Sequence, residues 1–418
     1  MTIGLGIIAD DITGACDVAA GVSAAGLDVE VRLGVPRPGE LLDAACTIVA
    51  LKSRTAPVAD AVAESVASAR ALGDAGARRL YQKYCSTFDS TDAGNIGPVA
   101  DALLDELAPT AVSVGTPATP AVGRTMHRGH LFVGDRLLSE SSLATHPLTP
   151  MRDPDLVRVL ARQTPRAVGS VPIEVVHSGS IRARVRELRR TGARHVLLDA
   201  IEDSDLDAAA RALLDEDGVL LGGAAGLAVA FARTLAGGGE HVVVAPPDGG
   251  RLVLSGSGSE RTRAQVAAHP GPVHTIRVDE LAGDAAGAIG EALRFLDTET
   301  QRGIPLITAT AEPREVARAQ ERWGRDRAAA LVEEALARIA VGAVSGHGIR
   351  RILVAGGETS GAVAAALGVT ALRVRRVVAP GVAWMTATDG AGHDLDLCLK
   401  SGNFGGEALF REAWEETA

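Results

Sequence analysis

The fold class follows from residues 3–22, IGLGIIADDITGACDVAAGV, near the start of the chain. The apolar run Ile3–Ala9 predicts a buried strand, and Asp10 and Asp11 come directly after it. An amphipathic helix is predicted next, because apolar side chains recur at the helical spacing i, i+3, i+4, i+7, at Ala15, Val18, Ala19 and Val22. Ligands of open α/β sheets bind at the carboxyl ends of the strands, so the two carboxylates mark a candidate site.

The same alternation of strand and helix continues along the chain. Further strands are predicted at residues 27–33, 47–51, 80–84, 111–114, 195–199, 252–255, 306–309 and 352–355. Helices are predicted at residues 57–72, 99–107, 153–162, 181–191, 203–215, 260–268, from 313 onward, and 359–367. This order predicts an α/β fold with mainly parallel, Rossmann-like sheets.

The domain organisation follows from the length and from one linker. At roughly 150 residues per domain, 418 residues suggest two or three domains. Residues 236–250, AGGGEHVVVAPPDGG, are typical of a linker, so we expect two α/β domains, about 1–240 and 250–418, with a ligand cleft between them. The proline-rich residues 115–150 interrupt the alternation and predict a long functional loop, and the charge-free residues 219–232 are expected to form a buried helix at most.

The composition excludes several classes of function. Acidic residues outnumber basic residues by 52 to 42 and aromatic residues make up 3%, which disfavours nucleic-acid binding. The charge-free stretch at 219–232 is too short to span a membrane, and no signal peptide is expected because the first basic residue is Arg32. The four cysteines are scattered and include no CxxC pair, so we expect buried thiols in a cytoplasmic protein.

Glycine-rich loops in the second half are candidate phosphate sites. Residues 255–259, SGSGS, and 356–361, GGETSG, each join a predicted strand to a predicted helix, and 401–406, SGNFGG, forms a third cluster. Glycine lets the backbone approach an anion closely, and a helix start supplies unpaired N–H groups. The alternative is simple helix capping, since Ser257 and Glu260 fit a capping box. Three such loops favour a nucleotide site, although no Walker A loop or convincing Rossmann fingerprint is present.

The acidic pair and a group of polar residues are the candidate site of the first half. One carboxylate of the pair Asp10 and Asp11 could bind substrate hydroxyls or Mg²⁺, and the other could accept a proton. The alternative is that one of them simply caps the helix that follows. Cations, hydroxyls, carboxylates and amides suit a polyhydroxylated anion, and the candidates are Lys52, Arg54, Lys83, Asp89, Ser90 and Asn95, with His130 from the long loop. His127 and His130 have no third ligand at metal spacing, so we expect no resident metal site. A serine hydrolase is disfavoured because no GxSxG elbow occurs.

Seven stretches together resemble the four-carbon acid sugar kinases, over nearly the whole chain and in order. They are IIADDITGACD at 7–17, KYCSTFDSTDAGNIGP at 83–98, GHLFVGDRLLSES at 129–141, HPLTPM at 146–151, LSGSGSERTRAQV at 254–266, AGGETSGAV at 355–363 and LKSGNFGG at 399–406. The second and the last stretch are most similar to the branch that acts on 3-oxo-tetronate. The threonate and erythronate branch tends to carry a shorter K-x-D-S-T-L-R-G-N segment.

The resemblance implies a sugar-acid domain followed by an ATP domain in a possible homo-oligomer. By motif, the sugar acid would face Asp10, Asp11, Lys52, Arg54, Asp89, Ser90 and Asn95. ATP, with Mg²⁺, would face Ser257, Ser259, Gly357, Glu358, Thr359, Ser360, Gly402, Asn403 and Gly405. The implied reaction is phosphorylation of the terminal C4 hydroxyl of 3-oxo-tetronate, with Asp10 or Asp11 as the base. The alternatives are a threonate or erythronate 4-kinase, and a non-catalytic sugar-acid-binding regulator.

Two departures from the family pattern concern ligand loops. Many relatives have a cysteine where this chain has Gly258, a change that we expect to have little effect. Relatives also tend to read GGSG where residues 222–226 of this chain read GGAAG, so a hydroxyl is missing from that loop.

Overall fold

The computed structural model describes residues 4–37, 40, 44–145, 149–236 and 245–416. The chain divides into two compact units, Met1–His241 and Val242–Ala418. The linker expected at 236–250 lies mostly outside the described residues, and its last residue, Gly250, already begins a strand.

The N-terminal unit is built on a parallel sheet. Its strands are β1 Leu5–Ala9, β2 Val29–Leu33, β3 Cys46–Ala50, β4 Arg79–Lys83, β5 Val112–Thr116, β6 Arg124–His127, β7 His130–Val133, β8 Arg136–Leu137, β9 Ala167–Val171, β10 Ala193–Leu198 and β11 Val219–Gly223. Its helices are α1 Ile12–Ala24, α2 Val58–Asp74, α3 Ile96–Leu107, α4 Leu156–Gln163, α5 Ile173–His177, α6 Ile181–Arg190, α7 Asp203–Leu213 and α8 Ala225–Leu235. The main sheet runs in the order β2-β3-β1-β4-β11-β5-β10-β9, with every pair parallel.

Burial explains why the first strand reads as a continuous apolar run. All five residues of β1 are buried, as expected for a central strand covered on both faces. The helix α1 buries the residues that the spacing predicted, including Ala15, Val18, Ala19 and Val22. The sequence prediction of an α/β fold with mainly parallel sheets is confirmed.

Two predictions for this unit were wrong. Residues 115–150 are not a structureless loop, because β6, β7 and β8 form a small antiparallel sheet there. The β6–β7 turn at Arg128 and Gly129 has positive φ at both residues, and the buried Asp199 carboxylate accepts the Gly129 N–H at 2.9 Å. Residues 219–232 are a strand followed by a helix. The strand β11 ends at Gly223 (φ 139°), where a Cβ would lie 2.1 Å from the carbonyl oxygen of Thr116, so only glycine fits there.

The C-terminal unit has a mixed sheet. Its strands are β12 Gly250–Ser255, β13 Val273–Thr275, β14 Leu306–Thr308, β15 Ile349–Ala355, β16 Ala371–Ala379, β17 Val382–Thr388 and β18 Asp394–Lys400. Its helices are α9 Glu260–Ala267, α10 Val278–Glu299, α11 Pro313–Trp323, α12 Arg325–Gly346, α13 Gly357–Ala366 and α14 Leu409–Glu412. The order is β13-β14-β12-β15-β18-β17-β16, in which the first five strands are parallel and the last two pair antiparallel.

The long helix expected from Pro313 is two helices. Gly324 (φ 79°) separates α11 from α12, because this left-handed conformation cannot continue a right-handed helix. No residue of α11 is buried, whereas α12 buries an apolar face. Among the described residues, no helix has both the length and the apolar character needed to cross a membrane.

Candidate active site

Arg54 lies at the centre of three carboxylates in the N-terminal unit. Its Nε and Nη2 donate to the two oxygens of Asp10 at 2.9 and 2.8 Å, and its Nη1 lies 3.1 Å from Asp11 Oδ2 and 4.0 Å from Asp89 Oδ2. Burial opposes the charged guanidinium, but Asp10 and Asp11 hold the pKa of Arg54 well above its ordinary value. The structure thus brings Asp10, Asp11, Arg54 and Asp89 together, and the guanidinium is already engaged by carboxylates.

Asp11 serves both the helix and the site. It is the N-cap of α1, where Oδ1 accepts the Gly14 N–H at 2.7 Å, and Thr13 Oγ1 donates to Oδ2 at 3.3 Å. Burial would raise its pKa, but Arg54, Lys83 and the Gly14 N–H together lower that pKa below the ordinary value. Asp11 therefore stays ionised under ordinary conditions, with one oxygen committed to the cap.

Lys83 is a buried cation that no carboxylate neutralises directly. It ends β4 and is 3% exposed, and its side chain makes no hydrogen bond or direct ion pair with any residue that the structure describes. It lines a cavity of about 20 Å³ together with Asp10, Arg54, Asp89, Ser90 and Asn95. Such a cavity holds about one water, so a four-carbon acid would have to lie at its mouth.

The other predicted residues of this unit differ in position. Asn95 Nδ2 donates to the carbonyl oxygens of Ser53 at 2.7 Å and Ala56 at 2.9 Å, so this amide holds the loop that carries Arg54. Ser90 Oγ accepts from Gln163 Nε2 at 2.8 Å, and both groups are buried. Three predicted residues do not line the cavity: Asp11, the exposed Lys52, and His130, whose Nδ1 lies 2.9 Å from the Arg128 carbonyl oxygen on the small sheet.

Two residues of this cluster were missed by sequence reasoning. Phe88 is fully buried with φ 61°, a strained conformation for a bulky residue, and it directly precedes Asp89. Asp17 is the last residue of the stretch 7–17. Burial raises the pKa of its carboxyl group to about 6; the nearby Asp11 adds to this rise and Lys83 opposes it. Asp17 could have been proposed from its place in that stretch, but no pattern foretells the backbone of Phe88.

The three glycine loops of the C-terminal unit lie side by side. They follow β12, β15 and β18, which are neighbours in the sheet. A Cβ on Gly256 would lie 2.3 Å from Thr359 Oγ1, and one on Gly402 would lie 2.2 Å from Ser257 Oγ. Ser259 Oγ also donates to the Gly402 carbonyl oxygen at 2.8 Å. Glycine is therefore required where the loops touch.

A cavity of about 750 Å³ opens beside the first two loops, within the C-terminal unit. Its walls combine glycine-loop residues with apolar and cationic side chains, namely Gly256, Ser257, Gly258, Gly357, Glu358, Thr359, Ile276, Val278, Val316, Val332, Arg277, Arg318 and Arg322. This volume lies in the range of roughly 300–1,000 Å³ that is usual for ligand pockets, and it is large enough for a nucleotide.

Five of the predicted nucleotide residues do not line this cavity. Ser259 caps α9 and Ser360 is fully buried, while Gly402, Asn403 and Gly405 belong to the third loop. Sequence reasoning missed Thr310, which lines the cavity and donates from Oγ1 to the Ser257 carbonyl oxygen at 2.9 Å. Lys400, which stands inside the quoted stretch 399–406, was missed as well.

Substituting Gly256 tests whether the loop contacts matter for nucleotide binding. Gly256→Ala places a methyl group against Thr359 and Leu336, so we expect the KM for ATP to rise at least about 10-fold. Gly258→Ala, in the same loop, meets nothing within 4 Å and is expected to change that KM less than about twofold. Steady-state kinetics at varied ATP measures both, and equal effects of the two changes would contradict the packing argument.

Comparison with known proteins identifies the family. A sugar-binding N-terminal domain is matched over residues 5–231, and a nucleotide-binding C-terminal domain over residues 252–410. A 3-oxo-tetronate kinase of Burkholderia multivorans is 46% identical over 98% of this chain and 96% of its own length.

Two solved structures are similar to this chain over nearly its whole length. A crystal structure from Salmonella typhimurium LT2, described as a proposed tRNA synthase, superposes with a TM-score of 0.88 at 35% identity and covers 98% of both chains. A Haemophilus influenzae protein has a TM-score of 0.78 at 37% identity, again over 98% of both chains. With its carboxylate and cation cluster in the first domain and its glycine loops in the second, the chain belongs to the four-carbon acid sugar kinase family.

Proposed function

We propose that this protein is an ATP-dependent kinase that phosphorylates the C4 hydroxyl of 3-oxo-tetronate, giving 3-oxo-tetronate 4-phosphate and ADP. The 46% identity with a 3-oxo-tetronate kinase over nearly the whole chain carries the choice of reaction. The geometry supports it, because one unit presents an acidic cluster with an unpaired lysine and the other presents a nucleotide-sized cavity. The N-terminal unit would bind the sugar acid and the C-terminal unit would bind ATP.

Lys83 is the cation best placed to receive an anionic substrate. Arg54 is engaged by Asp10 and Asp11, whereas the Lys83 side chain has no hydrogen bond or direct ion pair among the described residues and acts on Asp11 only through its charge. A buried ammonium that no carboxylate contacts directly is costly, and an arriving carboxylate or phosphoryl group would lower that cost. Asp89, whose Oδ1 accepts from Thr87 Oγ1 at 2.6 Å, keeps Oδ2 at the cavity for a substrate hydroxyl.

Asp11 is the better candidate for the base. Both oxygens of Asp10 are held by Arg54 in a bidentate pair, so Asp10 positions the guanidinium. Asp11 Oδ2 has only single contacts, to Arg54 and Thr13, and retains lone pairs for the C4 hydroxyl proton. Phosphoryl transfer needs the nucleophile positioned more than strongly activated, so the lowered pKa of Asp11 is compatible with this role.

Mg²⁺ would be held mainly by the ATP phosphates. The described residues contain no group of three or more His, Cys, Asp or Glu side chains that could hold a metal ion. In sites of this kind Mg²⁺ needs only one or two protein carboxylates beside the substrate phosphates. Glu358 supplies a carboxylate from the second glycine loop to the cavity wall, so it would complete such a site. The ion would neutralise charge on the transferred phosphoryl group.

Product analysis tests the proposed reaction. With Mg·ATP and 3-oxo-tetronate, ³¹P NMR is expected to show a phosphomonoester coupled to the C4 methylene protons, with one ADP formed per ester. Free phosphate without ester would indicate hydrolysis of ATP, and an acyl phosphate would place the transfer on the carboxylate. Either result would contradict the proposed acceptor.

Two lysine variants test where the sugar acid binds. Lys83→Met removes the unpaired cation, so we expect the KM for the sugar acid to rise about 10–100-fold with the KM for ATP little changed. Lys52→Met removes an exposed lysine outside the cavity, and we expect less than about a threefold change. A larger effect at Lys52 than at Lys83 would move the sugar-acid site away from this cluster.

A further inference from the structure

Lysine is rare in this chain and is placed selectively. The sequence has 42 basic residues, and only Lys52, Lys83 and Lys400 are lysines. Lys400, the last residue of β18, is wholly buried at 0% exposure. Because the chain uses arginine almost everywhere else, a buried lysine points to a need for a compact ammonium that can also lose its proton.

The hydrogen bonds of Lys400 all go to neutral groups. Its Nζ donates to Gln265 Oε1 at 2.9 Å, to the Gly402 carbonyl oxygen at 3.3 Å and to Thr262 Oγ1 at 3.4 Å. Among the residues that the structure describes, no carboxylate pairs with it. The three donors are satisfied, but the positive charge has no counterion, which is costly in a buried position.

These contacts connect Lys400 to the first and third glycine loops. The Gly402 carbonyl oxygen also accepts from Ser259 Oγ and from Thr262 Oγ1, each at 2.8 Å. Gln265, which accepts from Lys400, donates from Nε2 to the carbonyl oxygens of Phe404 at 3.0 Å and Gly406 at 2.9 Å. The ammonium is therefore at the node that fixes the third loop against the first.

We propose that Lys400 is a positioning residue of the nucleotide site, whose buried ammonium holds the third glycine loop in place and supplies the positive charge that the ATP phosphates neutralise. The proposal rests on the proposed function, because it takes ATP as the ligand of the glycine loops. Lys400 need not touch the nucleotide. It acts through its hydrogen bond to Gly402 and through the electrostatic attraction between its ammonium and the phosphates, which is strong in a poorly solvated site.

The charges around Lys400 make this role depend on pH. Burial, opposed by Cys398 and assisted by Arg261 on α9, lowers its pKa to about 8, and Arg261 itself lies 3.8 Å from Glu407. Cys398 lies on the same strand as Lys400, and burial raises the pKa of its thiol to about 12, so the thiol is uncharged. The centroid of the Phe410 ring lies 5.9 Å from Lys400 Nζ. Phosphates would favour the protonated lysine, so ATP binding should take up a proton and weaken as the pH rises through about 8.

Calorimetry on the wild-type protein tests the proposal without a variant. Titration of Mg·ATP at pH 8 in two buffers of different ionisation enthalpy should reveal uptake of about half a proton per nucleotide, since Lys400 is then about half ionised. The uptake should vanish near pH 6.5, and the affinity should fall by up to about tenfold per pH unit above 8. ATP binding with no proton uptake at pH 8 would overturn the proposal.

Two variants separate Lys400 from a merely structural role. Lys400→Met should weaken ATP binding about 10–100-fold at pH 7 and abolish its pH dependence between pH 7 and 9, with the KM for the sugar acid unchanged. Arg261→Met removes the neighbouring positive charge, so it should keep the pH dependence and move its midpoint to higher pH. A folded Lys400→Met variant with the wild-type pH profile would overturn the proposal.

The remaining outcomes are also decisive. If near-UV circular dichroism shows Lys400→Met to be unfolded, the wild-type calorimetry decides alone. If the wild-type protein binds no Mg·ATP at any pH, the proposed function fails and this proposal falls with it.

Discussion

Asp11→Asn is expected to lower kcat by about 10²–10⁴-fold, the range that a positioned acid–base group contributes. Asparagine still accepts the Gly14 N–H as an N-cap, so α1 should remain intact. The substitution removes the charge and the proton-accepting capacity of Oδ2, which contacts Arg54 at 3.1 Å. Steady-state kinetics with saturating ATP and sugar acid measures the loss.

The fold of this variant must be checked alongside its activity. Thermal unfolding of Asp11→Asn should lie within a few degrees of the wild-type protein, since the cap is retained. Asp74→Asn, which changes an exposed carboxylate at the end of α2, serves as the matched control and should keep normal turnover. Near-normal kcat in a folded Asp11→Asn variant would remove Asp11 from the role of base.

Arg54→Met is expected to destabilise the N-terminal unit by about 1.5–3 kcal/mol at pH 8, the usual contribution of a hydrogen bond to a charged group, because the Arg54 and Asp10 side chains are only partly buried. Asp10 would lose its bidentate partner, and Asp11 and Asp89 would lose the same cation. Turnover should fall as well, because Arg54 orients both carboxylates of the acidic pair. Urea unfolding at pH 8, followed by circular dichroism, measures the change in stability.

The sign of the pH effect follows from Asp11. Its folded-state pKa lies below the ordinary value of 3.8, so it stabilises the protein above that pH and loses the contribution as the pH falls through the folded-state pKa. Without Arg54 that contribution is missing, so the gap between variant and wild type should be widest at pH 8 and narrow below about pH 4. Arg70→Met, which breaks an exposed pair with Glu106, should cost less than about 1 kcal/mol. Equal stability of Arg54→Met and the wild type at pH 8 would contradict the geometry of the cluster.

Local pattern was sufficient to predict most strands of the main sheet, but the strands β9 and β11 were missed. The buried run ending at Ala9, the apolar spacing of α1 and the glycine loops after β12 and β15 all follow from periodicity and turn chemistry. The small sheet within residues 115–150 was not predictable in this way, because its short strands depend on distant partners such as Asp199. The strands β16 and β17 were missed for a related reason: their antiparallel pairing breaks the strand–helix alternation.

The chemistry of the site was only partly visible in the sequence. Residue types identified Asp10, Asp11, Arg54 and Lys83 as candidates. They did not show that carboxylates bind Arg54 directly, whereas the Lys83 side chain has no hydrogen bond or direct ion pair among the described residues. That distinction depends on distances between strand ends that no spacing rule gives. Lys400 is a similar case, since its importance comes from burial and from contacts to residues more than a hundred positions away.

The central claim is that this chain phosphorylates a 3-oxo four-carbon acid. The most direct test is a coupled assay of ADP release from Mg·ATP across both enantiomers of 3-oxo-tetronate, threonate and erythronate. We expect rapid ADP release with a 3-oxo-tetronate and little with the two acids that lack the 3-oxo group. Rapid turnover on threonate or erythronate alone would contradict the assigned substrate, and no ADP release with any of the acids would contradict the kinase itself.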